Sequence, residues 1–139
     1  MSQENVEIVR RGYAEFQAWN SGDRSGRDWW FGIVAPDFEF IPSGAFVGSG
    51  DEPLDVEGFE QFLLRFWNEF EDTATDVHEL IDAGDAVVAR VTFRGKGKAS
   101  GIDVQMDVFQ IWTLRDGNVV RGTAAWSEEE AFQAAGLSE

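Results

Sequence analysis

The stretch from Ile102 to Gly122, IDVQMDVFQIWTLRDGNVVRG, decides how the chain is read. Up to Leu114 it alternates in character: Ile102, Val104, Met106, Val108, Gln110, Trp112 and Leu114 occupy the even positions, while Asp103, Gln105, Asp107 and Thr113 fall among the odd ones. Successive side chains of a strand point to opposite faces, so the even set shares one face of a sheet, and only Gln110 on it is polar. Arg115-Asp116-Gly117-Asn118 then supplies the Asp-Gly pair of a tight hairpin, and Val119 to Trp126 returns as the next strand. An amide buried without a partner costs about 1–3 kcal/mol. Three fates are therefore open to Gln110: a bond to a neighbouring backbone group or a buried water, a place in a ligand pocket, or a partly exposed strand end.

Working outward, Ala86 to Arg94 alternates Val87, Ala89, Val91 and Phe93 against Val88, Arg90, Thr92 and Arg94. It pairs with a strand from Thr73 to Asp82 through the turn Ala83-Gly84-Asp85, and Gly95-Lys96-Gly97-Lys98 reads as a flexible basic connection. Upstream, Val6, Val9, Tyr13 and Phe16 make one apolar helical stripe over Ser2–Asn20, closed by Ser21-Gly22. A weaker helix, Arg24 to Val34, carries Trp29-Trp30-Phe31, and a short strand Phe38–Ile41 ends at Pro42. Ser43 to Asp55 reads as a loop able to fold over a cavity mouth. Asp55 caps a helix whose stripe is Phe59, Phe62, Leu63, Phe66 and Phe70. Ser127 and Glu130 form a capping box for a last helix ending at Gly136. Helices followed by an antiparallel meander predict an α+β fold, with the helices on one face of a curved sheet.

A chain of 139 residues matches one domain, 1–139, and its 43% hydrophobic content suffices for one core. Twelve Phe and six Trp imply a bulky core or a cavity walled by rings. A formal charge of −15 argues against nucleic acid and anionic membrane surfaces as partners. The absence of Cys excludes disulfides, thiolate metal sites and Cys nucleophiles. No segment has the apolar length of a membrane span or a signal core, so a cytoplasmic location is expected. On the odd face of the decisive strand, Phe109 and Ile111 suggest a homodimer contact through the sheet. His78, the single histidine, lies on a strand whose facing the pattern leaves open, and no metal-ligand spacing involves it. Asp51-Glu52 and Glu128-Glu129-Glu130 read as loop and helix-start carboxylates.

Taken together, SQENVEIVRRGYAEF, NSGD, PDFEFIPSG, ELIDAGDAVVARV, IWTLRDGNVVRG and EEEAFQAAGL resemble the SnoaL-like branch of the nuclear-transport-factor-2-like superfamily. That superfamily includes ketosteroid isomerases and polyketide cyclases. The resemblance implies a cone-shaped domain, its curved sheet wrapped around N-terminal helices and enclosing an apolar pocket, often dimeric through the sheet. The catalytic Asp of ketosteroid isomerases falls on Ile41, or on Phe40 if the register slips. Their helix-one Tyr falls near Gly12, beside Tyr13, and their enolate-stabilising acid near Gln110. Steroid-type isomerisation by that constellation is therefore not expected.

Glu39 shares the face of Ile41, which the resemblance makes the pocket face, and is the candidate general acid or base. A solvated or ion-paired Glu39 is the plainer alternative. Gln110, Tyr13, Trp30, Trp112, Trp126, Met106 and Gly122 form the expected ligand-binding set, and the resemblance matches Trp126 to the aromatic that closes the pocket. The leading expectation is a binder of a small hydrophobic molecule without cofactor or metal, with turnover left open. A cofactor-independent isomerase, cyclase or hydrolase using Glu39 is the alternative, and a dimeric interaction module with a vestigial cavity the third.

Overall fold

Backbone groups left free at helix starts are met by side chains that the sequence places there. In the computed structural model, which describes residues 2–41 and 52–136, α1 spans Ser2–Asn20 and α2 Arg24–Ile33. Asp23 caps α2, its carboxylate accepting from the Ser25 amide at 3.0 Å. α1 and α2 pack so closely at Gly26 that a Cβ there would lie 2.3 Å from the Glu15 carbonyl oxygen, a contact only glycine avoids. α3 covers Val56–Asn68, with the Asp55 carboxylate accepting from the Gly58 amide at 2.8 Å. α4 covers Glu128–Ala134, and the Ser127 hydroxyl accepts from the Glu130 amide at 3.2 Å as the capping box predicts.

The strands are β1 (Val34–Ile41), β2 (Phe70–Asp82), β3 (Ala86–Gly97), β4 (Asp103–Arg115) and β5 (Asn118–Ala125). They form one curved, unclosed sheet in the order β1-β5-β4-β3-β2. All neighbours are antiparallel except β1 and β5, which run parallel. This α+β cone matches the expected fold class, with the single parallel pair as a departure. Pro36 is tolerated in β1 because that strand lies at the sheet edge, where a missing amide proton breaks no central ladder. The β4–β5 hairpin turns through Asp116 and Gly117, both with positive φ, as the Asp-Gly pair requires.

Helices α1 to α3 pack on the concave face, where Val9, Trp30, Phe38, Phe40, Phe59 and Trp112 belong to the main core. The convex face carries α4, whose Ala131 and Phe132 cover Val88, Ile111 and Ala125. Ile111 and Phe109, which prompted the homodimer expectation, belong to the cluster on which α4 packs; Ile111 is buried and Phe109 partly so.

Two boundaries differ from the sequence reading. Phe70 opens β2 and does not extend the α3 stripe, because α3 ends at Asn68. Gly95 to Gly97 is strand, not flexible connection: β2 starts early enough to pair Lys96 with Glu71 while β4 pairs it with Asp103. Of the expected lid, residues 43–51 lie outside the described residues. Its far end is fixed, since Leu54 and Phe40 exchange two backbone hydrogen bonds of 2.8 Å.

Candidate functional site

Alternation along β4 delivers Gln110 and Trp112 to the concave face, opposite the third and fourth turns of α1. There Tyr13 reaches both. The Trp112 indole Nε1 donates to the Tyr13 hydroxyl at 2.9 Å, and that hydroxyl donates in turn to Gln110 Oε1. An indole N–H can only donate, so the phenol accepts from Trp112 and keeps its own proton for Gln110. In this arrangement the amide meets Tyr13 with its oxygen. Its Nε2 donates to no described residue and is not among buried atoms left unsatisfied, which leaves it open to a partner from the cavity that Gln110 lines. Burial pushes the Tyr13 phenol well above its ordinary pKa, while the bond from Trp112 acts in the opposite sense. Tyr13 is a neutral phenol throughout the physiological range.

The cavity has a volume of about 80 Å³. α1 contributes Tyr13 and Phe16, and α3 contributes Phe59, Phe62, Leu63, Phe66 and Trp67. Phe40, Thr75, Phe93, Gln110 and Trp112 complete the described lining from the sheet. Carboxylates, histidine and lysine are absent from that described lining. Rings dominate it: Phe40 lies 4.7 Å from Phe59, and Phe66 lies 4.8 Å from Phe93, centroid to centroid. What such a site offers chemically is apolar contact on several sides, a directional amide donor in Gln110 and a hydroxyl in Thr75.

Of the residues expected from sequence, Gln110, Tyr13 and Trp112 are brought together. Gly122 supports them from beneath, since a Cβ there would lie 2.5 Å from the Trp112 ring and 3.0 Å from Phe40. Trp30 is buried one layer back. It stacks on Phe16 at 4.2 Å and donates to the Gly12 carbonyl at 3.1 Å, so it shapes the site through Phe16 without lining it. Met106 pairs with Phe93 on the same face and is half-buried, but it stands outside the lining.

Two expectations are corrected. Glu39 is exposed, because Phe38 and Phe40 take the concave face and parity sends Glu39 and Ile41 to the other. Glu39 does share a face with Ile41, as expected, but that face is the convex one. Phe40 is the cavity residue, in agreement with the slipped register. Trp126 is 51% exposed and does not close the pocket; it lies past Ala125, the last residue of β5, where alternation no longer aims it. The α3 residues Phe62, Leu63, Phe66 and Trp67 were missing from the expected set, although their helical stripe was legible. On the convex face His78 is exposed, and its Nε2 lies 2.7 Å from the Thr92 hydroxyl, away from the cavity.

The family model described as the SnoaL-like domain matches residues 9–122. A solved structure described as a SnoaL-like polyketide cyclase candidate from Jannaschia sp. CCS1 superposes with a TM-score of 0.74 at 23% identity, over 99% of this chain and 94% of that one. The polyketide cyclase candidate IdmH of Streptomyces antibioticus gives 0.68 at 23% identity, over 93% of this chain and 95% of its own. TerC, co-crystallised with polyporic acid, gives 0.68 at 23% identity, over 95% and 97%. At such identities the likeness establishes shared fold alone. No curated protein sequence matches the chain.

Proposed function

The chain belongs to the SnoaL-like domain family, and from that premise we propose that it binds a small, uncharged, largely planar hydrophobic molecule carrying a hydrogen-bond acceptor. The observation that carries this reading is the Gln110 amide, which lines an aromatic cavity and meets Tyr13 through its oxygen, leaving its N–H groups for a ligand. A carbonyl or ether oxygen satisfies that donor. A charged ligand would enter without a counter-charge in the described lining, which is costly in an apolar site.

Size sets a condition on binding. A cavity of about 80 Å³ is smaller than the ~150 Å³ engineered cavity that admits benzene. A bicyclic ligand therefore enters only as cavity side chains turn aside, and the half-buried Leu63 and Trp67 of α3 are the ones best placed to do so.

The test is a calorimetric titration with 1-tetralone and with its hydrocarbon counterpart, tetralin. Saturable binding of the ketone is expected, weakened about three- to tenfold by Gln110→Leu, as loss of one neutral hydrogen bond predicts. Tetralin should not discriminate between the two proteins. A ketone that fails to bind, or binds Gln110→Leu equally well, overturns the proposal.

Cyclase-type turnover is a second reading, favoured by the neighbours described as polyketide cyclase candidates. In this chain it would rest on Gln110 polarising a carbonyl, since Glu39 lies on the wrong face. Closure of 2,6-heptanedione to 3-methylcyclohex-2-enone, in which one C–C bond forms and water leaves, tests it directly. A rate above background that Gln110→Leu removes supports turnover; a rate equal to background leaves binding alone.

A further inference from the structure

Beside the aromatic wall, at the edge between α1 and β2 where Gln17 and Thr75 are exposed, lies a second, much smaller space of about 20 Å³. It shares Tyr13, Phe16, Trp67, Thr75 and Phe93 with the main cavity, so the same side chains line both spaces. Its far side is polar. Asn20 donates through Nδ2 to the Thr73 hydroxyl, and Gln17 Nε2 donates to the Thr73 carbonyl at 3.4 Å, which ties the end of α1 to the start of β2. Thr75, two residues along β2, is exposed at the rim where it borders both spaces, and its hydroxyl bonds no described residue. A space above ~10–15 Å³ with several polar partners is sufficient for one water molecule or one hydroxyl group.

We propose that this space is a polar subsite of the same cavity, which takes a hydroxyl group of the ligand and bonds it through Thr75. The proposal rests on the reading of the cavity as a binding site for a planar acceptor-bearing molecule. The two recognition groups sit on different strands, Gln110 on β4 and Thr75 on β2, with β3 between them. A ligand that meets both must carry oxygen at two separated positions of its ring system. The favoured class is thus a hydroxylated aromatic ketone, not a simple ketone or hydrocarbon. The Thr75 hydroxyl can donate to the incoming group or accept from it, whereas Gln110 Nε2 only donates. This assigns the carbonyl to Gln110 and the hydroxyl to Thr75.

The experiment compares 5-, 6- and 7-hydroxy-1-tetralone with 1-tetralone by calorimetry, using the ratio of their dissociation constants within each protein. At least one isomer should bind the wild type about three- to tenfold more tightly than the parent ketone. That gain should vanish in Thr75→Val, return in Thr75→Ser, and persist in Thr92→Val on the opposite face. If no isomer gains, or the gain survives Thr75→Val, the subsite is overturned while the cavity reading stands on parent binding. If 1-tetralone itself does not bind, both fall together.

Discussion

The two faces of the sheet each carry a chain of three hydrogen-bonding side chains with a hydroxyl in the middle. On the concave face Tyr13 stands between Trp112 and Gln110; on the convex face Thr92 stands between His78 and Asp107. Thr92 donates to Asp107 at 2.6 Å, which obliges His78 Nε2 to be the donor at the other end. The connectivity is the same, yet the surroundings are opposite. Trp112 is buried among rings, whereas His78 and Asp107 are exposed and can exchange any lost partner for water. Solvent access, not bond geometry, should therefore decide what each chain is worth to the fold.

The largest effect belongs to the concave chain and its packing. Trp112 is 2% exposed and contacts Tyr13, Phe16, Trp30, Phe40 and Phe59. Trp112→Ala should cost about 3–5 kcal/mol in urea unfolding, by lost burial and the cavity left behind. Next comes the matched pair of hydroxyl deletions. Tyr13→Phe strands the Trp112 N–H and the Gln110 oxygen in an apolar site and should cost about 2 kcal/mol. Thr92→Val, whose partners face water, should cost less than about 1 kcal/mol. Equal costs for the two substitutions would break the comparison.

pH sharpens the same contrast through Tyr13, the single tyrosine. Burial raises its folded pKa above the ordinary 10.0, so the unfolded chain loses its proton first as pH rises. The stabilisation is complete below about pH 10 and is lost progressively above it, at about 1.4 kcal/mol per pH unit. Phenolate absorbance should stay flat in the folded protein and appear only with unfolding. In Tyr13→Phe the alkaline slope should shrink by that amount; an unchanged slope assigns it to other groups.

Much of the concave face was legible in the sequence because strict alternation along β4 leaves little freedom: Gln110 and Trp112 could only point together. Tyr13 was legible as a member of a helical stripe, though the sequence did not reveal that its hydroxyl lies between them. The position of Glu39 was not, since deciding which face of β1 looks inward required one register step. The β1–β5 pairing shifts between Val34 and Glu39, so spacing from neighbouring elements does not carry through. Trp126 was misplaced because the resemblance carried a pocket-closing aromatic to the end of the last strand, whereas pairing stops at Ala125. The α3 wall was legible as an amphipathic face but not as cavity lining, which depends on how the helix seats on the sheet. The cover of Phe109 and Ile111 by α4 depends on where a seven-residue helix docks, and local pattern does not encode that.

The smallest expected effect lies beside Thr92, in the pair Arg94 and Asp76. Its geometry is good, with guanidinium bonds of 2.9 and 3.2 Å to the two carboxylate oxygens. Both side chains are about half exposed, at 52% and 45%, so water and salt compete for each charge. A double-mutant cycle of Arg94→Ala and Asp76→Ala should give a coupling of about 0.5 kcal/mol that fades as salt is raised. The bond lengths alone would rank this pair beside the Trp112–Tyr13 bond of 2.9 Å. If the coupling instead persists in molar salt, the convex face is drier than its exposure implies, and the contrast between the faces would have to be drawn from partner chemistry and not from access to water.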